Sequence, residues 1–268
     1  MRVNRSSYIK WRTNKGTKSK QEIERERLMP LIEKCHKNKP SRGYHNIAAY
    51  LRDNYGYDKS DNLIHKCCKY MGIKSQVKHY RQKYTRPGNE HLIFENELNN
   101  DWSTNKPLEK ITSDMTCIKH RGRLYDVVLY MDAFNNEILS YAYTNKHNNS
   151  APYYEGLNIL LSKLKGIETQ IVLHTDQGAT YSSRVFNNTY KDYNIIRSMS
   201  RAGTPTDNPK IESINGWIKA EIDSDWDINS YDNFGEFLDQ YIYYYNNQRY
   251  AYSLKYKTPV QYRTEQGF

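Results

Sequence analysis

The run Leu124-Tyr125-Asp126-Val127-Val128-Leu129-Tyr130-Met131-Asp132 constrains this chain more than any other stretch. It reads as a strongly apolar strand between two turn signals, His120-Arg121-Gly122-Arg123 and Asn135-Asn136. Lys110–Ile118 reads as the strand before it and Glu137–Thr144 as the strand after, so the three make a meander. The pattern then alternates. A helix is expected at about 150–165, with Leu157, Leu160, Leu161 and Leu164 in helical register. Gln170–Thr175 is a buried strand, 182–192 a helix, 194–199 a short strand, 209–222 a helix and 230–248 the last helix. The order βββαβαβα predicts an α/β core, a mixed sheet with flanking helices.

The N-terminal third is different in kind. Residues 1–19, with Arg2, Arg5, Lys10, Arg12, Lys15 and Lys18, read as a basic flexible arm. Three helices are expected within 20–75, at about 20–37, 44–54 and 60–71. Pro30 is placed to kink or split the first. Ser60 or Asp61 is placed to cap the third, where Leu63, Ile64, Cys67 and Cys68 face inward. Two helices joined by a short Gly56-containing link in a basic setting resemble a helix-turn-helix DNA reader, with Lys66 and Lys69 as candidate DNA contacts. A plain helical bundle with a solvated basic face is the alternative. Residues 76–107 read as a linker and 108–268 as the core.

Charge follows this division. Residues 1–90 carry 22 Lys/Arg against 8 Asp/Glu; residues 91–268 carry 18 against 22. A net +10 chain with its positive charge at one end points to a polyanion, and the resemblance to a helix-turn-helix reader implies double-stranded DNA as that partner. No stretch approaches the ~18 apolar residues of a membrane span. The N-terminus lacks an apolar signal core, so a cytoplasmic chain is expected. Cys35, Cys67, Cys68 and Cys117 form no disulfide framework. Neither a Cys-x-x-Cys nor a His-x3-His spacing supports zinc.

Three acids carry the chemistry. Asp114 lies inside the first strand, where a carboxylate is costly to bury unless something pairs it; an edge strand facing water is the alternative. Asp176 ends the fourth strand, where α/β sheets form their sites, although Asp-Gln-Gly also makes a simple turn. Glu212 follows Asp207-Asn208-Pro209, a helix start in which Asn208 can cap and Pro209 takes the first position. An acid there also favours the helix dipole. Asp176 and Glu212 are separated by 35 residues, and Lys219 follows Glu212 by seven, two helical turns. Two strand acids and a helix acid can hold two divalent metals, and hard oxygen ligands suit Mg²⁺ or Mn²⁺. Asp132 reads as a structural or outer-sphere acid, Asp207 as a cap, and His174 as a group that orients a neighbour. The Tyr241–Tyr245 run reads as helix packing, with stacking on DNA the alternative.

Together these motifs resemble insertion-sequence transposases of the retroviral-integrase-like D,D(35)E superfamily, more narrowly the bacterial ones encoded by the second of two overlapping frames. The resemblance rests on Ile111-Thr112-Ser113-Asp114-Met115-Thr116, on His174-Thr175-Asp176-Gln177-Gly178, and on Ser198-Met199-Ser200-Arg201 through Glu212-Ser213. It continues in Lys219-Ala220-Glu221 and Tyr245-Asn246-Asn247-Gln248-Arg249, and spans roughly 20–265. Pro209 stands where such proteins often have Ala, and Ala251 where they often have His. The resemblance implies a ribonuclease-H-like catalytic core behind a small helix-turn-helix domain. It also implies strand cleavage and joining at Asp114, Asp176 and Glu212 with two Mg²⁺ or Mn²⁺ ions. Lys219, Gln177, Asn208 and Arg201 are then candidate DNA contacts, and the 201–207 loop a candidate gate. A homo-oligomer on DNA, a nucleoid location and a fusion with an upstream-frame protein are further expectations. Two other readings stay open: a nuclease that cuts without joining, and a DNA-binding regulator with an inactive core.

Overall fold

The structure, a computed structural model, describes residues 4–77, 92–201, 204 and 207–268. It divides into two compact units, Met1–Gln76 and Val77–Phe268.

The first unit is helical: α1 (Arg5–Thr13), α2 (Lys20–Asn38), α3 (Tyr44–Tyr55) and α4 (Asp61–Met71). α1 forms where composition alone pointed to an arm. Ser19 and Glu22 start α2 with a reciprocal capping box. Pro30 removes one N–H donor but neither splits nor ends the helix, which runs on for two more turns. α2, α3 and α4 close over Leu28, Ile32, Cys35, Ile47, Leu51, Ile64, Cys67 and Cys68. Gly56 ends α3 in the left-handed conformation (φ 65°), which glycine adopts without steric cost. Neither candidate cap at 60–61 bonds the α4 turn through its side chain. Asp61 instead takes His45 Nδ1 at 2.7 Å and the Arg52 guanidinium, tying α4 to α3. Lys66 and Lys69 lie exposed with Asn62, His65 and Tyr70, away from the buried Ile64, Cys67 and Cys68.

The second unit holds β1 (Lys110–His120), β2 (Arg123–Asp132), β3 (Ile138–Thr144), α5 (Ala151–Lys163), β4 (Ile171–Thr175), α6 (Arg184–Asn188), β5 (Ile195–Met199), α7 (Pro209–Asp225), α8 (Phe234–Asn247) and α9 (Pro259–Glu265). The sheet order is β3-β2-β1-β4-β5. β1 pairs antiparallel with β2, and β2 with β3; β1 and β4, and β4 and β5, pair parallel. β2 is apolar from Val127 to Met131, where both its faces are covered. Val127, Leu129 and Met131 meet Ile211, Ile214, Ile218 and Ile222 of α7 and the aromatic face of α8. Val128 and Tyr130 meet Leu157, Leu160 and Leu161 of α5, with Phe186 of α6.

Two expected helices are altered and one helix is added. α6 is shorter than 182–192, and the last expected helix is a brief 3₁₀ turn at Ile228–Ser230 followed by α8. α9, opened by the Thr258/Gln261 capping box, was not anticipated. The C-terminal part of the expected linker packs on the core: Leu98 is buried, Leu92 N–H donates to the Ser182 carbonyl, and Trp102 stands edge-on to His174. The rest of it, residues 78–91, lies outside the described residues.

α5 approaches the sheet closely at Gly156. A Cβ there would stand 2.8 Å from Cε2 of the buried Tyr130 ring. That ring is held at its far end, since its hydroxyl donates to the Tyr153 carbonyl at 2.7 Å. Gly156→Ala is therefore expected to cost about 1–3 kcal/mol despite alanine's better helix propensity. Urea unfolding that gives an equal or higher midpoint would contradict this packing.

Candidate active site

The strand register places the first two acids side by side. β1 and β4 pair in parallel with Thr112 opposite His174, and two residues further along each chain come Asp114 and Asp176, near enough for the charge of Asp176 to act on Asp114. Thr112 and Asp114 share one face of β1 by the two-residue period, and α7 covers that face. Two hydrogen bonds fasten α7 there. Thr112 Oγ1 donates to Asn208 Oδ1 at 2.7 Å, and Asn215 Nδ2 donates to Asp114 Oδ2 at 2.8 Å. A third comes from Lys210 Nζ, which donates to the Ala133 carbonyl at 2.6 Å. Glu212 lies in the first turn of α7, one helical turn from Asn215.

The three carboxylates feel one another. Burial pushes Asp114 up to about 7, and the negative charges of Asp176 and Glu212 push the same way. Asp176 is raised by packing on its inner side, partly offset by the Gly178 N–H, which donates to Oδ1 at 2.9 Å. Burial and the charge of Asp176 raise Glu212. Among the described residues, none of the three forms an ion pair. Asn215 Oδ1, buried beside Asp114, has no donor. Among the described residues, no three His, Cys, Asp or Glu side chains close into a metal cage. The donor set nevertheless fits a divalent cation: hard oxygens, mutual repulsion and, among the described residues, no cation in an ion pair with any of the three.

Other expected residues take different places. Asn208 and Asp207 do not cap α7 through their side chains. Asn208 is drawn to Thr112 instead. Asp207 is fully buried and takes Arg201 Nε and Nη2 at 2.9 and 2.8 Å, and the Arg201 N–H at 2.8 Å. Those bonds hold its carboxyl well below the usual range. Arg201 thus closes the base of the 201–207 loop, of which residues 202, 203, 205 and 206 lie outside the described residues. Arg201 and Gln177 also line a hollow of about 460 Å³ with Phe94, Asn96 and Asn99. Lys219 lies near enough to Cys117 of β1 for its charge to reach the thiol. Asp132 is structural: its carboxylate accepts from the Leu108 and Phe134 amides, both at 2.9 Å. His174 bridges Ser198 Oγ (2.8 Å) and Ser200 Oγ (3.0 Å), and burial pushes it down to about 4, so it is neutral near pH 7.

Asn215 and Tyr181 had no assigned role in the sequence reading. Asn215 shares the Glu212 face of α7, which was legible from spacing. Tyr181 was not. Its hydroxyl hydrogen-bonds Ser113 Oγ at 2.7 Å on the opposite face of β1, a contact 68 residues apart in sequence.

A mixed five-stranded sheet of this order, covered by helices, is a ribonuclease-H-like fold. Residues 104–205 and 193–259 match two family models, each described as an integrase core domain. Over 241 residues the chain is 30% identical to InsK, named as a transposase for insertion sequence element IS150 in Escherichia coli (strain K12), covering 88% of this chain and 82% of that protein. Over 244 residues it is 27% identical to the transposase for insertion sequence element IS904 of Lactococcus lactis subsp. lactis (strain IL1403), covering 90% and 95%. The solved simian T-cell lymphotropic virus intasome, in complex with PP2A regulatory subunit B56 gamma, contains a chain that shares the fold. Its TM-score is 0.51 at 17% identity, over 81% of this chain and 74% of that one. The chain belongs to the insertion-sequence transposases.

Proposed function

We propose that this transposase cleaves and joins DNA strands at the ends of its insertion sequence, using Asp114, Asp176 and Glu212. The observation that carries the reading is the closeness of Asp176, which directly follows β4, to Asp114 of the parallel-paired β1, shown by the charge of one acting on the other, with α7 hydrogen-bonded back to Asp114. The three carboxylates would hold two Mg²⁺ or Mn²⁺ ions, which when bound supply Lewis-acid polarisation of the phosphodiester and a more acidic attacking hydroxyl. Asn215 keeps the Asp114 carboxylate turned toward α7. Thr112 and Asn208 fix the helix that carries Glu212. Lys219, two turns beyond Glu212 on the same side of α7, reaches for the phosphate backbone, and Gln177 borders the Asp176 end of the site.

The exposed α4 face, with Lys66 and Lys69, fits the helix-turn-helix reading, where cations and polar groups meet DNA. The element's terminal repeats and target duplex are the DNA partners. A homo-oligomer on DNA follows from the need to hold two ends together, and fusion with an upstream-frame protein is a further possibility to test. Among the described residues no helix is long and apolar enough to cross a membrane. A cytoplasmic, nucleoid-associated protein fits this activity.

The test uses labelled DNA carrying the element's own terminal repeats, with Mg²⁺ or Mn²⁺, for wild type and Asp176→Asn. Metal-dependent joined products from wild type, lost in the variant while DNA binding persists, are expected. Nicks without joining would replace the proposal with a nuclease. Joining retained by the variant would remove Asp176 from the site.

A further inference from the structure

Arg197 of β5 is buried, at 5% exposure, and no carboxylate pairs with it among the described residues. A lone guanidinium inside a protein is expensive, and an aliphatic side chain would cost less there. What it touches is therefore informative. Nη1 donates to the Leu173 carbonyl at 3.0 Å and Nη2 to Thr175 Oγ1 at 2.8 Å, both on β4. Nη2 also reaches the Tyr181 carbonyl at 3.5 Å, and Nε donates to Asn187 Oδ1 of α6 at 3.2 Å. The Phe94 and Phe186 rings hold the guanidinium, with centroids 5.7 and 5.6 Å away.

These contacts bracket one segment. Thr175 immediately precedes Asp176, and Tyr181 and Asn187 lie where the loop after Asp176 enters α6. Tyr181 extends the bracket to the other strand through its hydroxyl bond with Ser113, the neighbour of Asp114. Asn187 Nδ2 donates to the Tyr181 carbonyl at 3.0 Å, so the bracket is cross-linked. The forked, planar donor set of arginine suits such multipoint fastening, and a lysine in its place offers only a point charge. Asp176 is also a carboxylate whose charge reaches Arg197.

We propose that Arg197 is a positioning residue for the reaction, a buried strut that fixes the strand end and loop presenting Asp176. This rests on the reading of Asp176 as a reacting-site acid. The strut acts through backbone, hydroxyl and amide oxygens and touches neither DNA nor metal. Its loss lowers turnover and leaves DNA affinity intact.

The experiment compares wild type, Arg197→Lys, Arg197→Met, Thr175→Val and the Arg197→Lys/Thr175→Val double variant. Strand joining is measured against DNA and Mg²⁺ concentration, alongside thermal melting and hydrogen exchange of the 176–183 amides. Arg197→Lys is expected to melt near wild type, lose about tenfold or more in kcat at unchanged KM for DNA, and need more Mg²⁺ for half-maximal rate. Its 176–183 amides exchange faster without a global change. Thr175→Val loses several-fold in rate, and the double variant falls no further than Arg197→Lys alone. If both arginine variants fail to fold, the isosteric Thr175→Val decides: faster exchange at 176–183 with slower joining supports the strut, and wild-type values overturn it. Folded Arg197→Lys with wild-type kcat and exchange also overturns it. A lower Mg²⁺ requirement would show charge repulsion instead of positioning and would overturn it too. Activity retained by Asp176→Asn would instead remove the reading beneath this inference, so the two failures are distinguishable.

Discussion

Asp114→Asn is expected to abolish strand joining and, in metal-free buffer, to raise the melting temperature. Both effects come from the same carboxylate. Ion-borne charge stabilisation is worth several kcal/mol at a phosphoryl centre, so joining should fall on the order of 10³-fold or more. The stability gain follows from Asp114's burial and, after that, its position among acids, which together move it from 3.8 to about 7. The folded chain holds this proton more tightly than the unfolded chain does. The stability contributed by protonation is full below about pH 4 and is lost as the pH rises through about 7. At pH 8 the metal-free fold carries an ionised group it disfavours. Each pKa unit corresponds to about 1.4 kcal/mol, and partial hydration reduces the total to about 1–3 kcal/mol. Asparagine removes that charge and can still accept from Asn215. Melting curves from pH 4 to 8, with and without Mg²⁺, test this. Wild type should lose stability as pH rises and regain it with Mg²⁺, and the variant should show a flatter profile and little response to the ion. Equal melting temperatures at pH 8 without metal would sink the electrostatic account.

The largest loss of stability is expected at Arg249. Its Nε donates to Glu221 Oε1 at 2.8 Å and Oε2 at 3.0 Å, and the residues are 9% and 4% exposed. The Tyr241 hydroxyl donates to the same carboxylate at 3.2 Å, and the Tyr245 ring lies 5.3 Å from the guanidinium. Arg249→Met strands Glu221 in the interior with one phenol for company. Breaking such a pair costs about 3–5 kcal/mol, which for a chain of this size is roughly 10 °C or more of melting temperature. The Glu221→Leu/Arg249→Met double variant should recover much of the loss, because no uncompensated charge remains. A single variant melting within a degree of wild type would show that water already reaches the pair. Glu221 sits on α7 beyond Glu212 and Lys219, so the single variant should also slow joining at temperatures below its melt.

Much of this was legible before any coordinates. The apolar β2 run, the alternating order after it and the Glu212–Lys219 helical spacing are local signals, and local signals survive in sequence. The polar side chains at the head of α7 were less readable. Asn208 and Asp207 have the composition of caps, but tertiary partners, Thr112 and Arg201, outbid the helix turn for them. Asp61 went the same way, to His45 and Arg52. α9 was overlooked although Thr258, Pro259 and Gln261 spell a helix start, because its seven residues carry too short an apolar period to stand out. Arg197 was invisible: a basic residue in a short strand reads as surface until the sheet shows both sides covered.

The fastening of α7 to β1 also bears on when this protein becomes dangerous to DNA. The bonds that complete the acid constellation join residues 96 and 101 positions apart. A ribosome must therefore release α7 before Glu212 can stand beside Asp114. A nascent chain stopped between Asp176 and Glu212 has two acids and no third. On the proposed reading of the three acids and of the N-terminal helices, such a product has an incomplete cutting site, and an interrupted synthesis yields at most a binder.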